Sequence, residues 1–201
     1  MVALADRYFL TPEEYLELEA QSPVKHEYID GEVFAMAGTT DTHNTIALNF
    51  AILLRNHLRG KDCGVYFADV KVHLEQRKNS RYYYPDLLVT CDPQDRDTPN
   101  YKCFPKLIIE VLSESTEAFD RGDKFNDYQT LTSLEEYVLV NTKYHRVEIF
   151  HRNPQGGWFF QTYTSTDTDL ILQSLNLTVS LADIYEEVTL ESAEVLKSGD
   201  V

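Results

Sequence analysis

Along the first sixty residues the apolar positions change period twice. "LTPEEYLELEA" sets Thr11 as an N-cap, Pro12 at the first helical position and Glu14 where it closes a capping box, which predicts a helix. "VKHEYIDGEVFAMAG" alternates instead, and predicts two short strands around Asp30-Gly31, a dipeptide that tolerates the positive φ of a tight hairpin turn. In "THNTIALNFAILLRNHLRG" the helical spacing returns. Ala47, Phe50, Ala51, Leu54 and Leu58 share one face, and Gly60 supplies the stop.

Beyond Gly60 the pattern predicts three strands, "GVYFADVKVHL", "YYYPDLLVT" and "KLIIEVLS", the last two joined by a loop of Asp, Pro and Asn from Asp92 to Asn100. "STEAFDRGDKFNDYQTL" reads as the second major helix, amphipathic through Phe125, Tyr128 and Leu131 and weakened near its start by Gly122. "EYVLVN", "RVEIFHR" and "WFFQTYT" are further strands, and "LTVSLADIYEEV" a strand followed by a short helix capped by Ser180. The succession is helix, hairpin, helix, three strands, helix, three strands: an α/β chain with a mixed sheet flanked by helices. With no repeat or linker in view, residues 1–201 are expected to form one domain, with a core over about 11–160 and an acidic C-terminal extension over 165–201.

Composition narrows the function classes. Hydrophobic content of 43% and charged content of 25% suit a globular chain. No apolar run approaches the ~18 residues of a membrane span, and "MVALADRYFLTPEEY" is broken too early by Asp6 and Arg7 to read as a signal peptide. Cys63, Cys91 and Cys103 are odd in number and lack C-x-x-C spacing, which points to a reducing, cytoplasmic setting and away from structural zinc. The net charge of −15 opposes broad contact with nucleic acid. One segment leans the other way: Arg55 to Arg81 carries seven bases (Arg55, Arg59, Lys61, Lys71, Arg77, Lys78, Arg81) against three acids, either a local basic patch or solvated faces.

Two acids stand where acids are costly. Asp86 heads an apolar strand directly after Pro85, and Glu110 lies inside "KLIIEVLS" among aliphatic residues. By strand phase Asp86, Leu88 and Thr90 share one face, as do Lys106, Ile108 and Glu110, so neighbouring strands would bring the two carboxylates together. A hard divalent cation relieves their repulsion, and magnesium so held suits phosphodiester hydrolysis. The structural alternatives are a turn-capping role for Asp86 and a buried ion pair of Glu110 with Lys106 or another base. His26 and His43 are candidate proton shuttles or, equally, capping and surface histidines.

Pro-Asp at one strand head and a Glu in a hydrophobic strand some twenty residues later resemble the PD-(D/E)xK nuclease superfamily. More narrowly, "KHEYIDGEV", "YYYPDLLVT", "LIIEVLSEST", "DRGDKFNDY" and "LEEYVLVN", in this order, resemble the Uma-type family of restriction-endonuclease-like proteins. The resemblance implies an αβββαβ restriction-endonuclease-like core, with an N-terminal helix-hairpin and C-terminal strands added. It implies a Mg²⁺- or Mn²⁺-dependent endonuclease in which Asp86, Glu110 and the backbone carbonyl of Val111 hold the metal. The superfamily lysine two residues after the glutamate is absent, since Leu112 stands there; the resemblance offers Lys124 instead, and Glu27 as an assisting acid. Read without the resemblance, Lys124 is a helix-face lysine paired with Asp120 or Asp127, and Glu27 an exposed hairpin acid. The partners expected are nucleic acid, DNA before RNA, and a second copy of the chain, with no membrane. Two rival functions stay open: a catalytically decayed nuclease fold acting through protein contacts, and a metal-dependent hydrolase of a small phosphorylated compound.

Overall fold

The computed structural model describes residues 2–3, 9–76 and 79–190. The chain runs through β1 (Val2–Ala3), α1 (Pro12–Glu19), β2 (His26–Ile29), β3 (Glu32–Ala35) and α2 (Asp41–His57). Then come β4 (Gly64–Phe67), β5 (Lys71–Gln76), β6 (Asn79–Tyr83), β7 (Leu87–Thr90), β8 (Tyr101–Lys102) and β9 (Leu107–Val111). Two short helices, α3 (Glu117–Arg121) and α4 (Asp123–Tyr128), precede β10 (Glu136–Val140), β11 (Arg146–Arg152) and β12 (Trp158–Thr164). The described chain ends in β13 (Asp169–Leu172), β14 (Leu177–Ser180) and α5 (Leu181–Ile184). The result is mixed α/β with helices flanking the sheets, as the pattern predicts, but the strands divide between two large sheets.

The first sheet has the order β1-β3-β2-β6-β5-β8, the second β12-β11-β10-β9-β7-β4, and β13 and β14 form a two-stranded sheet. Two expected strands are therefore each two strands. "GVYFADVKVHL" crosses from the second sheet to the first at Ala68–Val70, and "YYYPDLLVT" crosses back at Tyr84–Asp86. Proline explains the second crossing. Pro85 brings no N–H to a ladder, so pairing stops there and resumes in the other sheet at Leu87. The Ala68 N–H donates to the Asp86 carbonyl at 2.9 Å, which ties the two crossings together. The second major helix is likewise two, broken at Gly122.

Local signals hold elsewhere. Thr11 and Glu14 form the reciprocal capping box of α1. The Asp30-Gly31 turn has φ of 51° and 104°, the left-handed values that its residues suit. Ser180 caps α5 by accepting from the Ala182 N–H.

Strands β7 and β9 are apolar along both faces because both are covered. Leu87, Val89, Leu107, Ile109 and Val111 pack under Phe50 and Leu54 of α2, together with Leu170, Leu172 and Ile184 from the C-terminal elements. Residues 165–190 thus supply part of this core, although the acidic composition suggests an extension. Leu88, Ile108 and Leu112 face the other way, against Phe125, Tyr128 and the first sheet's Val72, Leu74 and Tyr83. A third cluster, Tyr15, Tyr28 and Tyr82, seats α1 on the first sheet. Tyr82 and Tyr83 therefore serve opposite cores, as strand alternation requires.

The cysteines carry a pairing that their spacing does not announce. Cys63 and Cys91 form a disulfide, and Cys103 alone is free. β4 pairs antiparallel with β7 through Gly64↔Thr90, so the next position outward places Cys63 opposite Cys91, with Cα atoms 4.1 Å apart. Closing this loop, with a sequence separation of 28 residues, contributes about 3.5 kcal/mol in a chain-entropy treatment. Cys91→Ser should lower the urea midpoint accordingly. Thiol titration of the denatured, unreduced protein should find Cys103 alone; three reactive thiols would show that the bridge does not form. Among the described residues no helix is long and apolar enough to cross a membrane.

Candidate active site

The site lies where the two sheets meet. The ladder Leu87↔Ile109, Leu88↔Ile108 extends to set Asp86 opposite Glu110 on one face, the face of Leu88 and Ile108. The two acids are interlocked through the backbone. The Asp86 N–H donates to Glu110 Oε2 at 3.2 Å, and the Val111 N–H donates to Asp86 Oδ2 at 2.7 Å.

Lys124 comes to the same place from α4. Its ammonium is 2.9 Å from Glu110 Oε1, 3.2 Å from Glu27 Oε1 and 3.5 Å from Asp120 Oδ1. Lys124 is only 5% exposed and Glu110 3%, so neither is a solvated surface group. Glu27 is also buried rather than an exposed hairpin acid; its Oε1 accepts from the Tyr84 N–H at 3.1 Å, just before the crossover. Lys106 pairs at the surface with Glu135 and leaves Glu110 to Lys124. Asp127 is taken by Arg81 and by the Tyr83 hydroxyl.

The electrostatics follow from this packing. Burial pushes the Glu110 carboxyl well above the ordinary carboxylate range; Lys124 opposes the shift, and the charges of Asp120 and Asp86 add to it. Lys124 moves upward too, because the carboxylates around it outweigh the cost of burying its charge. The two shifts agree once the sharing is counted. One ammonium is held by three carboxylates, whereas Glu110 has only a share of one ammonium, so the excess negative charge falls on Glu110.

His43, in the first turn of α2, places Nε2 3.2 Å from Asp86 Oδ2. Burial lowers the His43 pKa, and the Asp86 carboxylate more than reverses this, with smaller help from the Val111 carbonyl and Asp120, so the net shift is upward. His26 faces away and pairs with Glu19 through Nδ1 at 3.0 Å.

The structure therefore gathers Asp86, Glu110, Val111, Lys124, Glu27 and His43, and leaves out His26. Sequence reasoning treated Asp120 only as a helix-face partner of Lys124 and Tyr128 only as core. Both belong here, the Tyr128 hydroxyl donating to Glu110 Oε1 at 3.4 Å. The signal was present: Asp120, Lys124 and Tyr128 recur at i, i+4 and i+8 on one stripe. The proposed basic patch fares worse. Lys71 is buried beside the Tyr84 hydroxyl, Arg81 is ion-paired with Asp30 and Asp127, and Arg77 and Lys78 lie outside the described residues.

The family model Uma2, described as "Putative restriction endonuclease", matches residues 12–182, which include every residue of this site. The chain belongs to the Uma2 family. Two uncharacterized proteins of Synechocystis sp. are similar to it. One, slr1290, is 40% identical over 88% of this chain and 91% of its own length; the other, sll1609, is 32% identical over 79% and 89%. Among solved structures, a protein of Anabaena variabilis titled "a putative nuclease belonging to DUF820" aligns with a TM-score of 0.71 at 14% identity. That alignment covers 88% of the Uma2 chain described here and 97% of the other. At that identity the likeness concerns the fold, which is of nuclease type.

Proposed function

We propose that this Uma2 protein is a divalent-cation-dependent endonuclease that hydrolyses nucleic acid phosphodiester bonds, with Mg²⁺ or Mn²⁺ as cofactor. The observation that carries the reading is the pairing of Asp86 and Glu110 through each other's strand beside a buried ammonium. Among the described residues no three His, Cys, Asp or Glu side chains are grouped so that they could hold a metal ion, so a site made wholly of side chains is not offered. Two carboxylates with one backbone carbonyl are hard oxygen donors, however, and magnesium is usually held by one or two carboxylates with water and phosphate completing its shell. The donor chemistry fits. Asp86, Glu110 and the Val111 carbonyl would hold the ion.

Such a cation, when bound, supplies Lewis acidity toward phosphate oxygens and water. The rest falls to the chain. Lys124 balances the charge of Glu110, Glu27 and Asp120 and holds them in register. Its longest contact, 3.5 Å to Asp120, is the one most cheaply exchanged for a water or phosphate oxygen, which would let the ammonium orient an attacking water. Glu27 fixes the crossover through the Tyr84 N–H and keeps Lys124 turned inward.

A net charge of −15, with Lys71 buried and Arg81 ion-paired, favours a second reading, hydrolysis of a small phosphorylated compound. The test compares duplex DNA, single-stranded RNA and a small phosphodiester as substrates, with Mg²⁺, with Mn²⁺ and with chelator. Cation-dependent cleavage of DNA or RNA, lost in Glu110→Gln, is expected. Turnover of the small ester alone would select the second reading. No cleavage, together with no cation-dependent nucleic acid binding at low salt, would overturn both and leave a protein-contact module.

A further inference from the structure

Asp86 has one carboxylate oxygen fully engaged and one not. Oδ2 accepts the Val111 N–H at 2.7 Å and faces His43 Nε2 at 3.2 Å, while among the described residues no hydrogen bond reaches Oδ1. Because the partner is a carboxylate, the His43 proton must sit on Nε2, and a neutral ring is enough to donate it. The Val111 N–H and the His43 ring thus bear on the same oxygen, which restrains how the carboxylate can turn. The Asp86 side chain is 24% exposed, the most open of the acids gathered here, so its orientation decides what an incoming cation meets.

The element that carries His43 suits this task. α2 is 17 residues long and is capped by Thr40, whose hydroxyl accepts from the His43 N–H at 3.2 Å. Phe50 and Leu54 seat the helix on the second sheet, and the Asn49 amide bonds the carbonyls of Ile184 and Glu186. The imidazole is thus held from a rigid helix, whereas Asp86 lies on an irregular crossover with no ladder of its own.

We infer that His43 is a positioning residue: by filling Oδ2 it leaves Oδ1 as the one oxygen of Asp86 presented to a divalent cation. The inference rests on the cation-dependent reading above. It makes Asp86 a one-oxygen donor and accounts for a histidine beside hard oxygen donors without making it a ligand. Partners that orient a ligand typically change metal affinity 10–100-fold when removed.

The test titrates Ca²⁺ and Mn²⁺ into the full chain calorimetrically, at one fixed pH, for wild type, His43→Ala and His43→Gln. Glutamine keeps an N–H at a reach close to Nε2. His43→Ala should bind both ions at least about tenfold more weakly, and His43→Gln within about threefold of wild type, while the two variants melt alike without cation. Unchanged affinity in His43→Ala would overturn the inference and leave the cation site standing. Equal losses in both variants would also overturn it, since the hydrogen bond would then not be the cause. A loss confined to Mn²⁺, with Ca²⁺ binding intact, would make His43 a direct ligand rather than a positioning residue, because imidazole suits the softer ion. No cation binding by the wild type would remove the inference and the cation reading together.

Discussion

Lys124→Met should destabilise the protein by about 3–5 kcal/mol at neutral pH, the usual cost of removing one partner from a buried ionic cluster. Methionine matches the aliphatic stem in length and lacks the ammonium, so the loss chiefly reports the charge. Without the ammonium, Glu110, Glu27 and Asp120 face one another in a setting that excludes water. An exposed helix-face lysine would instead contribute well under 1 kcal/mol. Urea melts separate the two cases directly.

The deficit should also depend on pH, with a sign that can be worked out. The folded-state pKa of Glu110 is raised, so the folded protein binds its proton more tightly than the unfolded chain does. Its contribution to stability is therefore fully present below the ordinary carboxylate range and is lost as pH rises through the raised value. Removing Lys124 takes away the interaction that opposes this shift, so the window widens upward in the variant. Wild type and variant should then converge as pH falls toward about 4.5 and separate as it rises. A deficit that stays constant, or that grows in acid, would mean that lost packing rather than stranded charge is responsible.

How much of this was legible depends on whether the signal was local. Thr11 with Glu14, and Asp30 with Gly31, act over a few residues and are readable without knowing the fold. So is the phase that places Asp86 and Glu110 on one face, because strand alternation needs only the strand. The crossings at Ala68–Val70 and Tyr84–Asp86 are different in kind. Apolar alternation continues through "YYYPDLL" whether the chain stays in one sheet or changes to another, and only pairing partners reveal the change. Pro85 is the one local clue, and the residue pattern alone makes it a strand head as readily as a break.

The disulfide follows the same rule. Cys63 and Cys91 meet only because β4 lies beside β7, a long-range fact that no spacing rule contains. The site is intermediate. Its acids and lysine are visible as types out of place in apolar or helical runs, whereas their mutual contacts need α3, α4 and both sheets at once. Asp120 escaped for a plainer reason: its pairing with Lys124 is the ordinary i, i+4 pattern, which on an exposed helix would mean little.

Asp86→Asn should leave the cation-free fold within about 1 kcal/mol of wild type, yet abolish cleavage and cation binding. The amide oxygen can still accept the Val111 N–H, so the crossover keeps its anchor. Removing the charge also relieves its repulsion with Glu110 and lowers the Glu110 pKa somewhat. What disappears is a formal negative charge at the most exposed acid of the site, and a hard cation binds an amide oxygen far less well than a carboxylate. On transition-state arithmetic, losing roughly 4 kcal/mol of stabilisation slows turnover about a thousandfold. Glu110→Gln makes the necessary contrast. It should abolish cleavage too, but it weakens the Lys124 contact and so should also shift the melt. Thermal melts with and without Mn²⁺ read both effects. Mn²⁺ should raise the wild-type melting temperature and leave both variants unmoved. If Asp86→Asn instead destabilised the cation-free protein by several kcal/mol, its carboxylate would be a structural anchor for His43 and Val111, and the ligand role would pass to Glu110 alone.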